Sequence, residues 1–159
     1  MNNLLTVRSA VPADIDAIYE LLELYTASGV VLKRSKEDIA FYLGNFVVAL
    51  FDEKICGCCA VRDFGNDLLE VRSLVVDPAM QGKGVGKAML EAIISGLKLR
   101  RIKWRLFTLT MQPGFFRNIG FVEVSKEMFP EKIWSDCAKC AKRDKCDEIA
   151  LLLESASAQ

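Results

Sequence analysis

The stretch Leu68-Leu69-Glu70-Val71-Arg72-Ser73-Leu74-Val75-Val76, then Asp77-Pro78, then Gln81-Gly82-Lys83-Gly84-Val85-Gly86, then Lys87-Ala88-Met89-Leu90-Glu91-Ala92-Ile93-Ile94 decides the fold. The opening run is apolar and β-branched, long enough for a strand and too short for a buried helix. Asp77-Pro78 stops it. The last run carries apolar residues at helical spacing, so a glycine loop leads from a strand into a helix.

That order suits phosphate binding. Glycines let the backbone approach an anion closely, and the first-turn N–H groups of a helix, unpaired within it, point at the ligand. Lys83 and Lys87 add positive charge. The spacing fits neither the dinucleotide fingerprint G-x-G-x-x-G nor the phosphate loop G-x-x-x-x-G-K-[ST]. The alternative is a tight strand-to-helix turn with no ligand.

What the stretch does resemble, as Gln-x-x-Gly-x-Gly after a strand ending Val-Val-Asp-Pro, is the acetyl-CoA pyrophosphate loop of the GNAT family of N-acetyltransferases. The resemblance extends over nearly the whole chain. It implies an α/β fold with a mixed, mostly antiparallel twisted sheet flanked by helices and splayed at its centre to admit coenzyme. It also implies coenzyme contacts from Leu74, Val75, Val76, Gln81, Gly82, Lys83, Gly84, Val85, Gly86 and Lys87, the strand backbone running beside the pantetheine arm. Gly114-Phe115-Phe116-Arg117-Asn118-Ile119-Gly120-Phe121 resembles the second GNAT signature and brings Phe116 to the coenzyme. Many GNAT enzymes carry a tyrosine acid there. Phe115 and Phe116 have no proton to donate.

Composition bounds the class. With 159 residues, 52% of them hydrophobic, the chain is expected to fold as one domain over residues 1–154, with 155–159 a frayed tail. Lys plus Arg equals Asp plus Glu at 21 each, so no nucleic-acid footprint is expected. No apolar run has membrane-spanning length and the N-terminus lacks signal-peptide character, which predicts a cytoplasmic protein. In that compartment the six cysteines are reduced thiols or metal ligands rather than disulfides. No histidine occurs, which excludes histidine-based triads, ligands and bases if the sequence is complete. Proton transfer then falls to a carboxylate, Tyr, Cys, Lys or water.

Residues 4–8 read as a first strand, and Pro12 opens a helix with Ile15, Ile18, Leu21, Leu22 and Tyr25 on one face, ended by Ser28-Gly29. A short helix follows over residues 36–43, with Ser35 as N-cap and Asp38 in a capping-box position. Residues 45–50 and 54–61 read as a hairpin around Phe51-Asp52-Glu53. Alternation puts Cys56 and Cys58 on one face and Cys59 on the other, as core residues. Leu32-Lys33-Arg34-Ser35 resembles the Leu-Pro-Arg-Ser of N-acetylglutamate synthases. Arg34 is then either a bidentate clamp for a substrate carboxylate or an exposed arginine beside a cap.

In the central strand, alternation puts Glu70, Arg72 and Leu74 on one face and Val71, Ser73 and Val75 on the other. Glu70 is the candidate general base, since acetylating an amine requires its ammonium to lose a proton. Arg72 holds an acceptor carboxylate or pairs with Glu70. Residues 103–110 form the next strand, Pro113 starts a short helix, and residues 149–153 close the sheet. Thr110 resembles a substrate-contacting hydroxyl of the synthases; the alternative is a hydroxyl bonding its own backbone.

Residues 129–140 and 146–151 look like the tail of short, single-domain bacterial N-acetylglutamate synthases. Cys137, Cys140 and Cys146, within a loop over 136–147, offer three thiolates to a metal or are structural thiols. The resemblance therefore implies acetyl transfer from acetyl-CoA to the α-amino group of L-glutamate, the first step of arginine biosynthesis, with no metal in the chemistry. Direct attack in a ternary complex is expected. Arg34, Arg72 and Lys145 are the candidates for the two glutamate carboxylates. The partner is this small molecule, with no nucleic acid or membrane, and a homodimer is compatible with the reading. Another amine acceptor, or a non-catalytic acyl-CoA- or metal-binding module, is the alternative. The arginine-sensing domain of long synthases does not fit within this length.

Overall fold

A computed structural model describes residues 4–26, 34–129 and 148–156. Seven strands form one mixed sheet in the order β1-β2-β3-β4-β5-β7-β6: β1 Leu5–Ser9, β2 Phe46–Phe51, β3 Lys54–Gly65, β4 Leu68–Val76, β5 Arg105–Thr110, β6 Val122–Val124 and β7 Ile149–Glu154. The helices are α1 Ile15–Thr26, α2 Lys36–Phe41, α3 Val85–Arg100 and α4 Pro113–Ile119. Strands β4 and β5 pair in parallel, as a strand–helix–strand crossover requires. Contacts divide the chain into two compact units.

The first unit, Met1–Val61 with Val71–Arg100, holds β1, β2, most of β3, the second half of β4, and α1 to α3. Register pairs Phe46 with Ala60 and Val48 with Cys58, so these four share a face. They pack with Ile18, Leu21 and Leu22 of α1 and Ile39 of α2. The opposite face meets α3. Gly57 is why α3 comes so close: a Cβ there would lie 3.0 Å from Met89 Cε and Val85 Cγ1 and 3.2 Å from the Val75 carbonyl oxygen.

The α1 entry is firmer than its sequence suggests. A 3-10 turn, Pro12–Asp14, precedes α1, and the Asp14 carboxylate accepts the Val11 N–H at 2.8 Å and two bonds from Arg8 at 2.7 and 3.1 Å. Buried at 4% exposure, Asp14 is held below the usual carboxylate range, chiefly by the Arg8 guanidinium.

The second unit, Arg62–Glu70 with Arg101–Gln159, holds the end of β3, the start of β4, and β5, β6, β7 and α4. Its core gathers Leu68, Phe107, Phe129, Ala150 and Leu152, with the Phe107 and Phe129 rings stacked at 4.1 Å. Strand β7 pairs antiparallel with both β5 and β6. Gly120, at φ 119°, caps α4 in the left-handed conformation that favours glycine.

Several boundaries differ from the sequence reading. β3 runs to Gly65, because a tight turn at Asn66 and Asp67, both at positive φ, returns the chain as a second hairpin. α2 ends at Phe41, where a 3-10 turn takes over. Strand β6 had no signal in so short a segment. Ser155, expected in the tail, exchanges two hydrogen bonds with Trp104. Within β4, Ser73 has φ 52°, which interrupts the pleat, so alternation cannot carry through it. The end of the first long helix at Ser28-Gly29, the 136–147 loop and residues 157–159 lie outside the described residues.

Candidate active site

In the first unit the glycine loop leads directly into α3. Gly82 and Gly84 have φ 78° and 83°, and a Cβ on either would meet nothing within 4 Å. Glycine is required there by backbone conformation, not by crowding. The Gly84 carbonyl accepts the Ala88 N–H at 3.0 Å, which starts the α3 ladder and leaves the N–H groups of Val85, Gly86 and Lys87 without intrahelical partners. Unpaired N–H groups at the start of a helix are the kind of donors that anions bind. Lys83 is exposed; Lys87 lies 3.8 Å from Glu91, an exposed pair of little weight.

The chain enters this loop from β4. Asp77 N–H donates to the Cys56 carbonyl at 2.8 Å, and Asp77 Oδ1 caps the following 3-10 turn through Ala79 N–H. Tyr25, at the end of α1, donates its hydroxyl to the Val76 carbonyl at 2.5 Å and accepts the Gln81 side-chain amide at 2.6 Å. Tyr25 read as core in the sequence; an aromatic with a hydroxyl that must find a partner was the only signal of this role.

Arg34 is drawn in rather than exposed. Its side chain is 16% accessible, its Nε donates to Asp38 at 2.7 Å, and its Nη1 donates to Ser73 Oγ at 3.2 Å. The guanidinium lies 5.0 Å from the Phe46 ring centre. Nη2 makes no bond to any of the described residues. Ser35 Oγ caps α2 through Asp38 N–H at 3.0 Å, but the Asp38 carboxylate turns to Arg34 instead of closing a capping box. Cys58 Sγ meets the Ser73 carbonyl at 3.7 Å. Burial pushes the Cys58 thiol up to about 12, partly offset by Arg34. The positive-φ Ser73 is thus braced on its side chain and its carbonyl. Arg72, Leu74 and Val76 are half-buried and Val75 is buried.

In the second unit Glu70 is 3% exposed, opposite Phe107 in the β4–β5 register, and Thr108 is equally buried. That ladder joins Leu68, Leu69 and Glu70 to Arg105, Leu106 and Phe107. Thr110 Oγ1 accepts the Gln112 N–H at 2.9 Å, the local bond weighed against a substrate role, though its hydroxyl proton is still available to a ligand. Phe116 is buried edge-on between Phe115 and Phe121, while Phe115 is half-buried.

Residues 42–123 match the family model described as Acetyltransferase (GNAT) domain. The chain belongs to the GNAT acetyltransferase family. It is 40% identical over 146 residues to an uncharacterised N-acetyltransferase of Chlorobaculum tepidum, covering 92% of this chain and 94% of that one. It is 32% identical to an amino-acid acetyltransferase of Mycobacterium tuberculosis, covering 79% and 75%. Among solved structures, the N-acetylglutamate synthase of Neisseria gonorrhoeae complexed with coenzyme A and N-acetyl-glutamate superposes with a TM-score of 0.84 at 26% identity, covering 99% of this chain. The chain spans about a third of that synthase, 36% of its length.

This acetyltransferase uses acetyl-CoA. Cys56, Cys58 and Cys59 are all buried on β3, and among the described residues no group of three His, Cys, Asp or Glu could hold a metal. Lys145, Cys137, Cys140 and Cys146 lie outside the described residues. No helix of the described residues is long and apolar enough to cross a membrane.

Proposed function

We propose that this acetyltransferase moves the acetyl group of acetyl-CoA to the α-amino group of L-glutamate by direct attack in a ternary complex. The observation that carries the acceptor is Arg34. A guanidinium tethered by Asp38 and Ser73, largely shielded from water, with Nη2 unengaged by the described residues, is prepared for a carboxylate. Two relatives support this choice: one is named amino-acid acetyltransferase, and the synthase structure contains N-acetyl-glutamate.

Acetyl-CoA supplies the acetyl group as a thioester. The protein's part is to hold the amine, take its proton and steady developing charge. Glu70 receives the ammonium proton directly or through water, and β4 backbone N–H groups face the carbonyl oxygen as charge builds on it. The N–C bond forms, the C–S bond breaks, and sulfur leaves as a thiolate. With phenylalanine at 115 and 116, that thiolate leaves unaided or takes a proton from water. Arg34 and Arg72 hold the glutamate carboxylates; Thr110 and Lys145 are further candidates for substrate contact. This would be the opening reaction of arginine biosynthesis.

The test is steady-state release of CoA with each amino acid, with the product confirmed by mass. Turnover restricted to L-glutamate, with Arg34→Ala raising its KM at least tenfold, supports the reading. Equal or better turnover of L-aspartate, L-glutamine or another amine removes the glutamate assignment.

A further inference from the structure

Two hydrogen bonds converge on one phenol. Tyr25 donates to the Val76 carbonyl and accepts from Gln81, residues that bracket the segment carrying the chain from β4 into the glycine loop. One hydroxyl proton and its lone pairs satisfy both bonds at once.

The Val76 carbonyl needs such a partner. Asp77 N–H points at β3, where it bonds Cys56. Across a trans peptide the Val76 carbonyl therefore points away from β3. The β4–β5 ladder has already stopped at Glu70, so no β5 residue in that register reaches Val76. At the other end, Gln81 is exposed except for its amide contact with Tyr25. Between them, the Asp77-capped turn is stiffened by its own bonds, Ala79 N–H to Asp77 Oδ1 at 2.9 Å and Met80 N–H to the Asp77 carbonyl at 2.8 Å. Fixing both ends of a stiff segment fixes the direction in which the following glycines leave it.

We propose that Tyr25 is a positioning residue for acetyl-CoA: the end of α1 holds the β4 edge and the glycine loop in one register, so that the N–H groups of the loop and the backbone of β4 meet a single bound coenzyme. Gln81 acts through this phenol, as the latch of the loop. The proposal rests on reading residues 81–86 as the coenzyme loop. Tyr25→Phe keeps the ring and removes the bonds, and Gln81→Leu removes the latch from the other side.

The experiment is calorimetric titration of the full chain with acetyl-CoA, for wild type, Tyr25→Phe, Gln81→Leu, the double variant and Gly84→Ala, with a thermal melt of each. Gln81→Leu should weaken binding about tenfold, as losing one neutral hydrogen bond does, and Tyr25→Phe, which removes both bonds, at least as much. The double variant should be little worse than Tyr25→Phe alone, because the two residues act as one unit. Gly84→Ala, which strains the loop directly, should weaken binding without reference to Tyr25. If Gly84→Ala weakens binding and Tyr25→Phe does not, or lowers only the melting temperature, the positioning role is overturned. If the single effects multiply in the double variant, the relay is overturned. If neither Tyr25→Phe nor Gly84→Ala changes binding, the loop reading falls and the relay with it.

Discussion

At the scale of single residues, Asp14 shows how a pH dependence is built into α1's entry. Its folded pKa is depressed by Arg8 and by the Val11 N–H, so its contribution is present above the unfolded value, roughly pH 4, and disappears as pH falls through the folded value. Asp14→Asn should cost about 1–2 kcal/mol at pH 7, through the charge-assisted bonds from Arg8 that a neutral amide cannot match, and less at pH 3. Urea melts of both proteins at the two pH values check this; a constant difference would show that the ionised carboxylate is not what matters. The β3 thiols give a second expectation. Burial raises Cys56, Cys58 and Cys59, Cys58 to about 12, so at pH 8 all three should resist a thiol reagent until denaturant is added. Rapid labelling of any of them in the native protein, read by peptide mass, would contradict this burial. Such residue-level facts were unevenly legible. The Ser35 cap follows from local chain geometry and was visible; the positive φ of Ser73 and the Asp38–Arg34 bond depend on partners distant in sequence or in competition, and were not.

At the scale of elements, the strand, loop and helix over residues 68–100 could be read because the hydrophobic period changes from strand-like to helical across a glycine loop. What the pattern could not reveal is how closely α3 lies on the sheet. That depends on Gly57, which in the sequence is one small residue among cysteines. Gly57→Ala adds a methyl against Val85 and Met89 side chains and the Val75 carbonyl. The side chains can yield; the backbone oxygen cannot yield easily. Overpacking of about 1–3 kcal/mol exceeds the gain of up to about 1 kcal/mol from replacing a strand glycine, so the variant should be less stable. Since Val85 opens α3 beside the loop, acetyl-CoA binding should weaken as well. A melting curve and a titration on the same variant decide it: unchanged stability would mean that α3 shifts without cost.

For the molecule as a whole, the parallel β4–α3–β5 connection was implicit in the strand–helix–strand order, whereas the insertion of β7 between β5 and β6 had no local signal, because it is a pairing between distant segments. The chain's two units also divide the proposed labour. The glycine loop and Arg34 belong to the first, Glu70 and Thr110 to the second, and β4 runs through both. If Glu70 takes the proton, substitution there should act on turnover and leave the coenzyme alone. Glu70→Gln preserves shape at a buried site and removes the basic oxygen, so kcat should fall about 10²–10⁴-fold, the usual range for a general base, while the acetyl-CoA Kd stays within about twofold. Gly84→Ala should do the reverse, since a left-handed alanine costs roughly 1–2 kcal/mol and the bound loop must bear it: a weaker Kd, with kcat recovered at saturating coenzyme. Paired titrations and saturation kinetics on both variants test the division. A Glu70→Gln protein that keeps its kcat would move the proton to water or another group, and one that loses coenzyme affinity with kcat intact would make Glu70 a structural carboxylate of β4.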